Sequence, residues 1–219
     1  MIQSKNSGTN KCGCCKERFI PFHNNSLQKY CTKYDACIKA TVDKAVLAKQ
    51  KKEKKETAKK KKEIMSHTEW QNELQPFINK IARLIDKNSY CMMCKIPLPP
   101  TKRKNGCHYH SVGANNSLRF NLINIWIGCH KCNGENGGNI NGFDVVIRET
   151  YGNEFWEYVK FDIVRLHPII KLPIYEFTKL ITEAKLIISQ LEQKNKVYTI
   201  EERVNLRHQL NQRLGIYKF

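Results

Sequence analysis

A run of apolar residues at helical spacing lies between residues 70 and 85, where positions three and four apart share one helix face. The run follows Ser66-x-x-Glu69, a capping box that satisfies backbone donors at a helix start. Pro76 is awkward inside a helix, so the helix either kinks there or starts there. We expect the helix to pack on a core. Its apolar face comprises Trp70, Leu74, Phe77, Ile78, Ile81, Leu84 and Ile85.

The middle of the chain predicts a two-stranded hairpin followed by a helix. A short strand is expected over residues 107 to 112, a turn rich in Gly and Asn over 113 to 117, and a second strand over 120 to 127. Apolar side chains occupy both faces of the second strand, so both faces are expected to be buried. A polar turn then leads to an apolar run at residues 143 to 147, which predicts a helix.

Two further helices are predicted in the carboxyl-terminal part of the chain. Residues 175 to 193 repeat apolar positions at helical spacing. Thr199-x-x-Glu202 is a second capping box, and the helix that it opens is expected to run to about Leu214. These helices bury their apolar faces either against each other or in a contact with a second copy of the chain.

A strongly basic helix is predicted over residues 38 to 65, which are rich in Ala, Lys and Glu and contain no Gly or Pro. At about 1.5 Å per residue it would span about 40 Å. Its role is that of a spacer or of a basic arm along a DNA backbone, and the two roles are compatible. The lysines predicted to contact nucleic acid are Lys51, Lys52, Lys54, Lys55, Lys59, Lys60, Lys61 and Lys62.

The charge balance supports a nucleic-acid partner. The chain has 38 Lys and Arg against 20 Asp and Glu, a formal net charge of +18. Such a field attracts DNA without reading its sequence. An anionic membrane surface fits less well, because the lysine stretch lacks interleaved large apolar residues. No apolar run approaches the length of about 20 residues that spans a bilayer, and the first residues lack a signal-peptide core. We expect a bacterial or phage-infected cytoplasm and no membrane contact.

The ten cysteines predict two structural zinc sites. Two Cys-x-x-Cys pairs stand 34 residues apart, and each can direct two thiolates from one tight turn toward a tetrahedral Zn²⁺. A reducing cytoplasm favours metal binding over disulfides. At the amino terminus Cys14 or His23 is an alternative to one of the simplest set of ligands. The predicted tetrads are Cys91, Cys94, Cys129 and Cys132, and Cys12, Cys15, Cys31 and Cys37.

A series of motifs runs from residue 66 onward: Ser66-His-Thr-Glu-Trp70, Cys91-x-x-Cys94, Cys107-His-Tyr-His-Ser-Val-Gly-Ala114, Leu118-Arg-Phe-Asn121, Gly128-Cys-His-Lys-Cys-Asn133 and Gly138-Asn139. Together they resemble the HNH, or ββα-metal, nuclease superfamily, and within it the Rap/NinG family of phage recombination endonucleases. With the amino-terminal cysteines and the lysine stretch, the resemblance covers roughly residues 11 to 160.

The resemblance, together with the patterns above, implies an α+β fold class. A small Cys-rich zinc finger is expected at residues 1–37 and a basic helical linker at 38–65. A zinc-stapled HNH-like nuclease domain is expected at 66–160, followed by carboxyl-terminal helices at 161–219.

The resemblance also implies hydrolysis of DNA phosphodiesters in branched recombination intermediates such as Holliday junctions and D-loops. His108 is predicted to take a proton from the attacking water, because imidazole suits this role near neutral pH. His110 is the runner-up, since residues two apart share a strand face. Junction nucleases that cut two opposed strands commonly act as dimers, so a homodimer is an expectation of this class.

The ion expected at the catalytic site is Mg²⁺ or Mn²⁺. Asn133 and Glu135 would supply the oxygen donors that these ions prefer, beside the rigid zinc knuckle. Arg119 and Lys131 are predicted to hold the scissile phosphate, since cations there raise DNA affinity. The alternative for both is an exposed basic side chain.

Three residues depart from the pattern of the family that the chain resembles. Asn105 stands where a histidine or aspartate is usual, Glu135 where a histidine is frequent, and Cys107 where an acid usually precedes the histidine. Cys107 is expected to be a small buried strand residue, because hard cations bind thiols poorly. These departures support an alternative, a non-catalytic zinc-stabilised DNA-binding or recombination accessory protein with a degenerate HNH site.

Overall fold

The computed structural model describes residues 9 to 22, 25, 27 to 99, 101 to 135, 138 to 166 and 172 to 217. His23 lies outside these residues, as does the side chain of Glu135. The chain is a helix-rich α+β protein that divides into two compact units, Met1–Met65 and Ser66–Phe219. None of the helices in the described ranges combines the length and the apolar composition that a membrane span requires.

The first unit consists of a small hairpin and a long helix. Strand β1 (Asn10–Lys11) pairs antiparallel with β2 (Arg18–Phe19), and helix α1 spans Asp35–Glu63. The buried apolar core of this unit is a cluster of cysteines, with Phe19 and Tyr30 packed against it. Beyond residue 40, α1 is exposed on all sides. The predicted basic helix is confirmed and starts three residues earlier than expected.

The second unit opens with helix α2 (His67–Ile85). Ser66 and Glu69 form both hydrogen bonds of the predicted capping box. The helix runs through Pro76, so the alternative that it starts at this proline is wrong. Trp70 is buried, as expected for a core residue. The buried face comprises Trp70, Leu74, Ile78, Ile81, Ala82 and Ile85.

The hairpin is shorter than the sequence pattern predicts. Strand β3 (Lys104–His108) pairs antiparallel with β4 (Ile125–Cys129), with His108 opposite Ile125. The expected strands at residues 107 to 112 and 120 to 127 were therefore misplaced. Two 3₁₀ turns, Asn116–Leu118 and Leu122–Asn124, occupy much of the connection.

Asparagine side chains explain why the strands end early. The Asn121 side chain accepts from the Ile123 amide at 2.9 Å. Asn124 accepts from the His110 amide at 2.7 Å and donates to the Leu118 carbonyl at 3.1 Å. Such side-chain bonds offer the backbone an alternative to the strand ladder. His110 consequently lies beyond β3, and the prediction that it shares a strand face with His108 is wrong.

The hairpin leads into helical segments that cover it. The predicted helix after the polar turn is α3 (Ile140–Tyr151), followed by α4 (Asn153–Glu157), a π-helical turn (Tyr158–Asp162) and the short α5 (Ile163–Leu166). Their apolar faces meet the hairpin and the cysteines of the larger unit, Cys91 and Cys132 among them, in one core. Its members include Trp126, Phe143, Ile147, Val159 and Ile163.

The last two helices, α6 (Ile174–Lys194) and α7 (Ile200–Leu214), pack against other elements of their own unit. Phe177 of α6 stacks on Trp70 of α2, with ring centroids 6.3 Å apart. The predicted capping box at Thr199 and Glu202 is present at the start of α7. The buried face of α6 is therefore covered largely by α2, a partner that neither sequence alternative named.

A buried ion pair joins α7 to the rest of the unit. Arg207 donates from Nη2 to Asp86, directly after α2, at 2.7 Å, and both side chains are buried. Its Nε donates to the Leu122 carbonyl at 3.0 Å, and its guanidinium lies 3.9 Å from the Trp126 ring centroid. Asp86 also accepts from the Ile127 amide at 3.0 Å. Because an unpaired buried charge is costly, these contacts hold α7 against α2 and β4.

Candidate functional site

One cysteine tetrad lies where the hairpin, α2 and α3 converge. Cys91 and Cys94 lie in a turn after α2, Cys129 ends β4, and Cys132 lies in the following π-helical turn (Lys131–Glu135). Their sulfur atoms all lie within 4.8 Å of one another. The Cys94 and Cys129 sulfurs are 3.9 Å apart. Tetrahedral Zn²⁺ with bonds of about 2.3 Å requires sulfurs about 3.8 Å apart, so the tetrad fits zinc.

Backbone and side-chain donors face the sulfurs of this tetrad. The Cys129 amide donates to Cys91 Sγ at 3.3 Å, and the Cys132 amide donates to Cys129 Sγ at 3.4 Å. Asn139, the N-cap of α3, donates to Cys132 Sγ at 3.9 Å and to the Met93 carbonyl at 3.1 Å. Such donors stabilise metal-bound thiolates and orient them. Asn139 thereby connects the start of α3 to the cysteine tetrad.

The second tetrad forms the core of the amino-terminal unit. The sulfurs of Cys12 and Cys37 are 3.7 Å apart, as are those of Cys15 and Cys31. All four lie within 4.8 Å of one another, and this spacing again suits zinc. Cys14 is exposed and lies outside the tetrad. The structure thus gathers the simplest ligand set that the sequence predicts.

His108 ends β3 and is held by a hydrogen bond to the connection between the strands. Its Nε2 lies 2.9 Å from the Arg119 carbonyl oxygen. A carbonyl can only accept, so this bond requires the proton on Nε2 and leaves Nδ1 of the neutral ring free of a proton. The Gln75 amide nitrogen lies 3.5 Å from the same Nε2, a longer and weaker contact that the Arg119 bond outweighs. Burial lowers the pKa of His108 below its ordinary value of 6.5. The ring is therefore neutral near physiological pH, with one basic nitrogen.

His110 lies in the same cleft as His108 but is held differently. Its Nε2 bonds the Val159 carbonyl at 2.9 Å, and burial lowers its pKa as well. The cleft has a volume of about 460 Å³ and reaches the start of α3. Its lining includes His108, His110, Ser111, Ile140, Lys160 and Phe161.

Asp144 on α3 connects the walls of this cleft. It accepts from Trp156 Nε1 at 2.9 Å, from Lys160 Nζ at 2.8 Å and from the Tyr109 hydroxyl. Burial would raise the pKa of Asp144, but the bonds from Lys160, Tyr109 and Trp156 hold it below its ordinary value. Sequence reasoning missed this residue, and its signal was a lone acid within an apolar helical run.

The Arg119 side chain is directed toward α2. Its guanidinium donates to the amide oxygens of Gln75 at 3.1 Å, Gln71 at 3.4 Å and Asn72 at 2.6 Å. These bonds anchor the inter-strand connection, a role that the sequence alternatives did not include. Binding of a scissile phosphate by Arg119 stays a prediction, and it would require some of these donors to change partner.

The predicted ion ligands and the other predicted phosphate contact lie in sequence around Cys132, the last cysteine of the tetrad. Asn133 and Lys131 are exposed on the π-helical turn that contains Cys132. Neither lines the histidine cleft as far as the described residues define it. Cys107 is buried on β3 beside His108, as expected for a small strand residue, and burial raises the pKa of its thiol. A neutral thiol cannot replace a carboxylate at this position.

The fold and its cysteine tetrads define a two-unit α+β protein with two potential zinc sites. A family model described as the bacteriophage lambda NinG protein matches residues 4–196. The chain therefore belongs to the NinG family of phage proteins, which is linked to recombination. Among curated proteins and among solved structures, none matches this chain. Helix α7 lies beyond the matched segment.

We expect the purified protein to contain two zinc ions per chain, because both tetrads have zinc-compatible geometry. Cys15→Ser and Cys94→Ser should each lower the zinc content to one ion. Cys14→Ser is the matched control and should retain both ions, since this thiol is exposed outside the tetrads. Elemental analysis after gel filtration measures the content. Loss of zinc from Cys14→Ser would contradict the ligand assignment.

Proposed function

We propose that this protein is a metal-dependent, structure-specific DNA endonuclease that hydrolyses phosphodiesters in branched recombination intermediates, such as Holliday junctions and D-loops. The observation that carries the proposal is His108. It is a neutral, oriented histidine in a cleft, at the end of a hairpin that a cysteine tetrad connects to a helix. This order of strand, strand and helix is that of the ββα-metal nucleases.

His108 acts as the general base in this proposal. Its bond to the Arg119 carbonyl keeps Nδ1 unprotonated, so Nδ1 takes a proton from the water that attacks phosphorus. Asn133, and Glu135 two residues later, supply an amide and a carboxylate, a donor set that fits Mg²⁺ or Mn²⁺. Such an ion, when bound, supplies polarisation of the phosphate and stabilisation of the leaving 3′ oxygen.

Helix α1 supplies the general affinity for DNA in this proposal. The lysines from Lys49 to Lys62 are exposed along a helix of 29 residues, about 43 Å long at 1.5 Å per residue. Exposed cations displace counterions from DNA without reading bases. Lys131, exposed after Cys129, adds a cation next to the proposed ion site.

A second candidate is a zinc-stabilised DNA-binding accessory protein of recombination whose nuclease site has decayed. The specific observation in its favour is Cys107, which is buried and uncharged at the position where the family usually has an acid. The guanidinium bonds of Arg119 to α2 also favour it, because they engage a cation predicted for the phosphate.

The direct test is nicking of a labelled four-way junction by the zinc-loaded protein, with Mg²⁺, Mn²⁺ or EDTA. We expect ion-dependent nicking that His108→Ala slows about 10²- to 10⁴-fold, the range for loss of a general base. His130→Ala, which removes an exposed histidine, should nick normally. A severe loss in His110→Ala with activity in His108→Ala would reassign the base. Tight junction binding without nicking under any ion would establish the accessory protein.

A second test concerns the basic helix. The triple variant Lys59→Gln, Lys60→Gln and Lys61→Gln should bind DNA more weakly. The slope of log K against log salt concentration should become less steep by about 0.9 for each DNA phosphate that the variant no longer neutralises. The matched control is Lys179→Gln, Lys185→Gln and Lys194→Gln, which removes the same charge from exposed positions of α6. Equal weakening in both variants would show that net charge, not α1, determines the affinity.

A further inference from the structure

The carboxyl-terminal segment places three buried polar side chains against the connection between β3 and β4. Arg207 and Asn211 on α7 are fully buried, and Tyr217 is 1% exposed. Each bonds residues between Ser117 and Ile125. This segment lies beyond the part of the chain that the NinG family model matches. A buried polar group is costly unless it is hydrogen-bonded, so these three side chains require their partners in the connection.

Tyr217 contacts the connection on both sides of Arg119. Its hydroxyl donates to the Ser117 carbonyl at 2.6 Å and accepts from the Phe120 amide at 3.2 Å. Burial raises the pKa of Tyr217, so the hydroxyl keeps its proton and can act as donor and acceptor together. The Arg119 backbone is thereby held between two bonds to one side chain.

The Phe120 amide and the Arg119 carbonyl belong to a single peptide group. That group is planar, so its N–H and C=O cannot turn independently. On one side Tyr217 accepts from the N–H, and on the other the C=O accepts from His108 Nε2 at 2.9 Å. In a buried chain of hydrogen bonds, each bond also polarises the next. Tyr217 is thus connected to His108 through one peptide plane.

The neighbouring residues hold the same connection from the same direction. Asn211 accepts from the Leu122 amide at 2.9 Å and donates to the Asn121 side chain at 2.8 Å. Arg207 donates to the Leu122 carbonyl at 3.0 Å. These bonds fix the turn that follows Phe120. Tyr217 differs from them because its acceptor bond is to the peptide group that contacts His108.

We propose that Tyr217 is a positioning residue for His108. By fixing the Arg119–Phe120 peptide, it selects the His108 tautomer with the proton on Nε2 and leaves Nδ1 as the basic nitrogen. The catalytic part of this proposal rests on the proposed function, since His108 is the base there. The selection of the tautomer does not depend on that function.

The test is Tyr217→Phe, which removes the hydroxyl and retains the ring. We expect kcat for junction nicking to fall about tenfold, as for loss of one buried hydrogen bond, with KM unchanged. Nitrogen-15 NMR of the imidazoles at about pH 8, where histidine is neutral, should show His108 as the Nε2–H tautomer in the wild type and as a tautomer mixture in the variant. Both measurements use the zinc-loaded full chain.

Tyr90→Phe is the matched control. It also removes a tyrosine hydroxyl bond, 2.7 Å to Thr150 on α3, and this bond involves neither the connection nor His108. It should leave kcat and the His108 tautomer unchanged. An unchanged tautomer in Tyr217→Phe would overturn the proposal, whatever its nicking rate or stability. If the wild type nicks no DNA, the proposed function fails, and the tautomer shift alone then decides whether Tyr217 positions His108.

Discussion

The cysteine tetrad of Cys91, Cys94, Cys129 and Cys132 is the constraint on which the larger unit depends. Its sulfurs bring together three segments that the hairpin alone could not hold: the turn after α2, the end of β4 and the approach to α3. A two-stranded hairpin is marginal in water without further packing. A zinc ion across the tetrad would therefore fix the end of β4, and β3, which ends at His108, pairs with β4.

A set of hydrogen bonds then orients His108 within this unit. The connection between the strands is held on one side by bonds from the Arg119 guanidinium to α2, and on the other side by Tyr217 and α7. These contacts converge on one peptide group, whose carbonyl faces His108. The two sets of contacts differ in kind, because a metal on the tetrad would hold segments together, whereas the hydrogen bonds orient one ring. A segment outside the matched family region, α7 with Tyr217 after it, thus bonds the connection whose carbonyl contacts His108.

The sequence predicted correctly those motifs and elements that residues close together in the chain encode. The two tetrads, the capping boxes at Ser66 and Thr199, the basic helix and the order strand, strand, helix all follow from spacing within a few tens of residues. The strand ends were misplaced, because Asn121 and Asn124 bond the backbone in place of a ladder. The contacts of Arg119 and Tyr217 join residues 44 and 97 positions apart, respectively, and no local pattern encodes such pairs. Asp144 was hidden within an apolar run.

Hydrogen exchange of the β3 and β4 amides tests the dependence on the tetrad most directly. It should be measured in the zinc-loaded wild type and in Cys94→Ser, with Cys15→Ser as a control that alters only the amino-terminal tetrad. Our account predicts that the β3 and β4 amides lose protection in Cys94→Ser and keep it in Cys15→Ser. Full protection of the hairpin in Cys94→Ser would contradict it, and would show that apolar packing alone holds His108 in place.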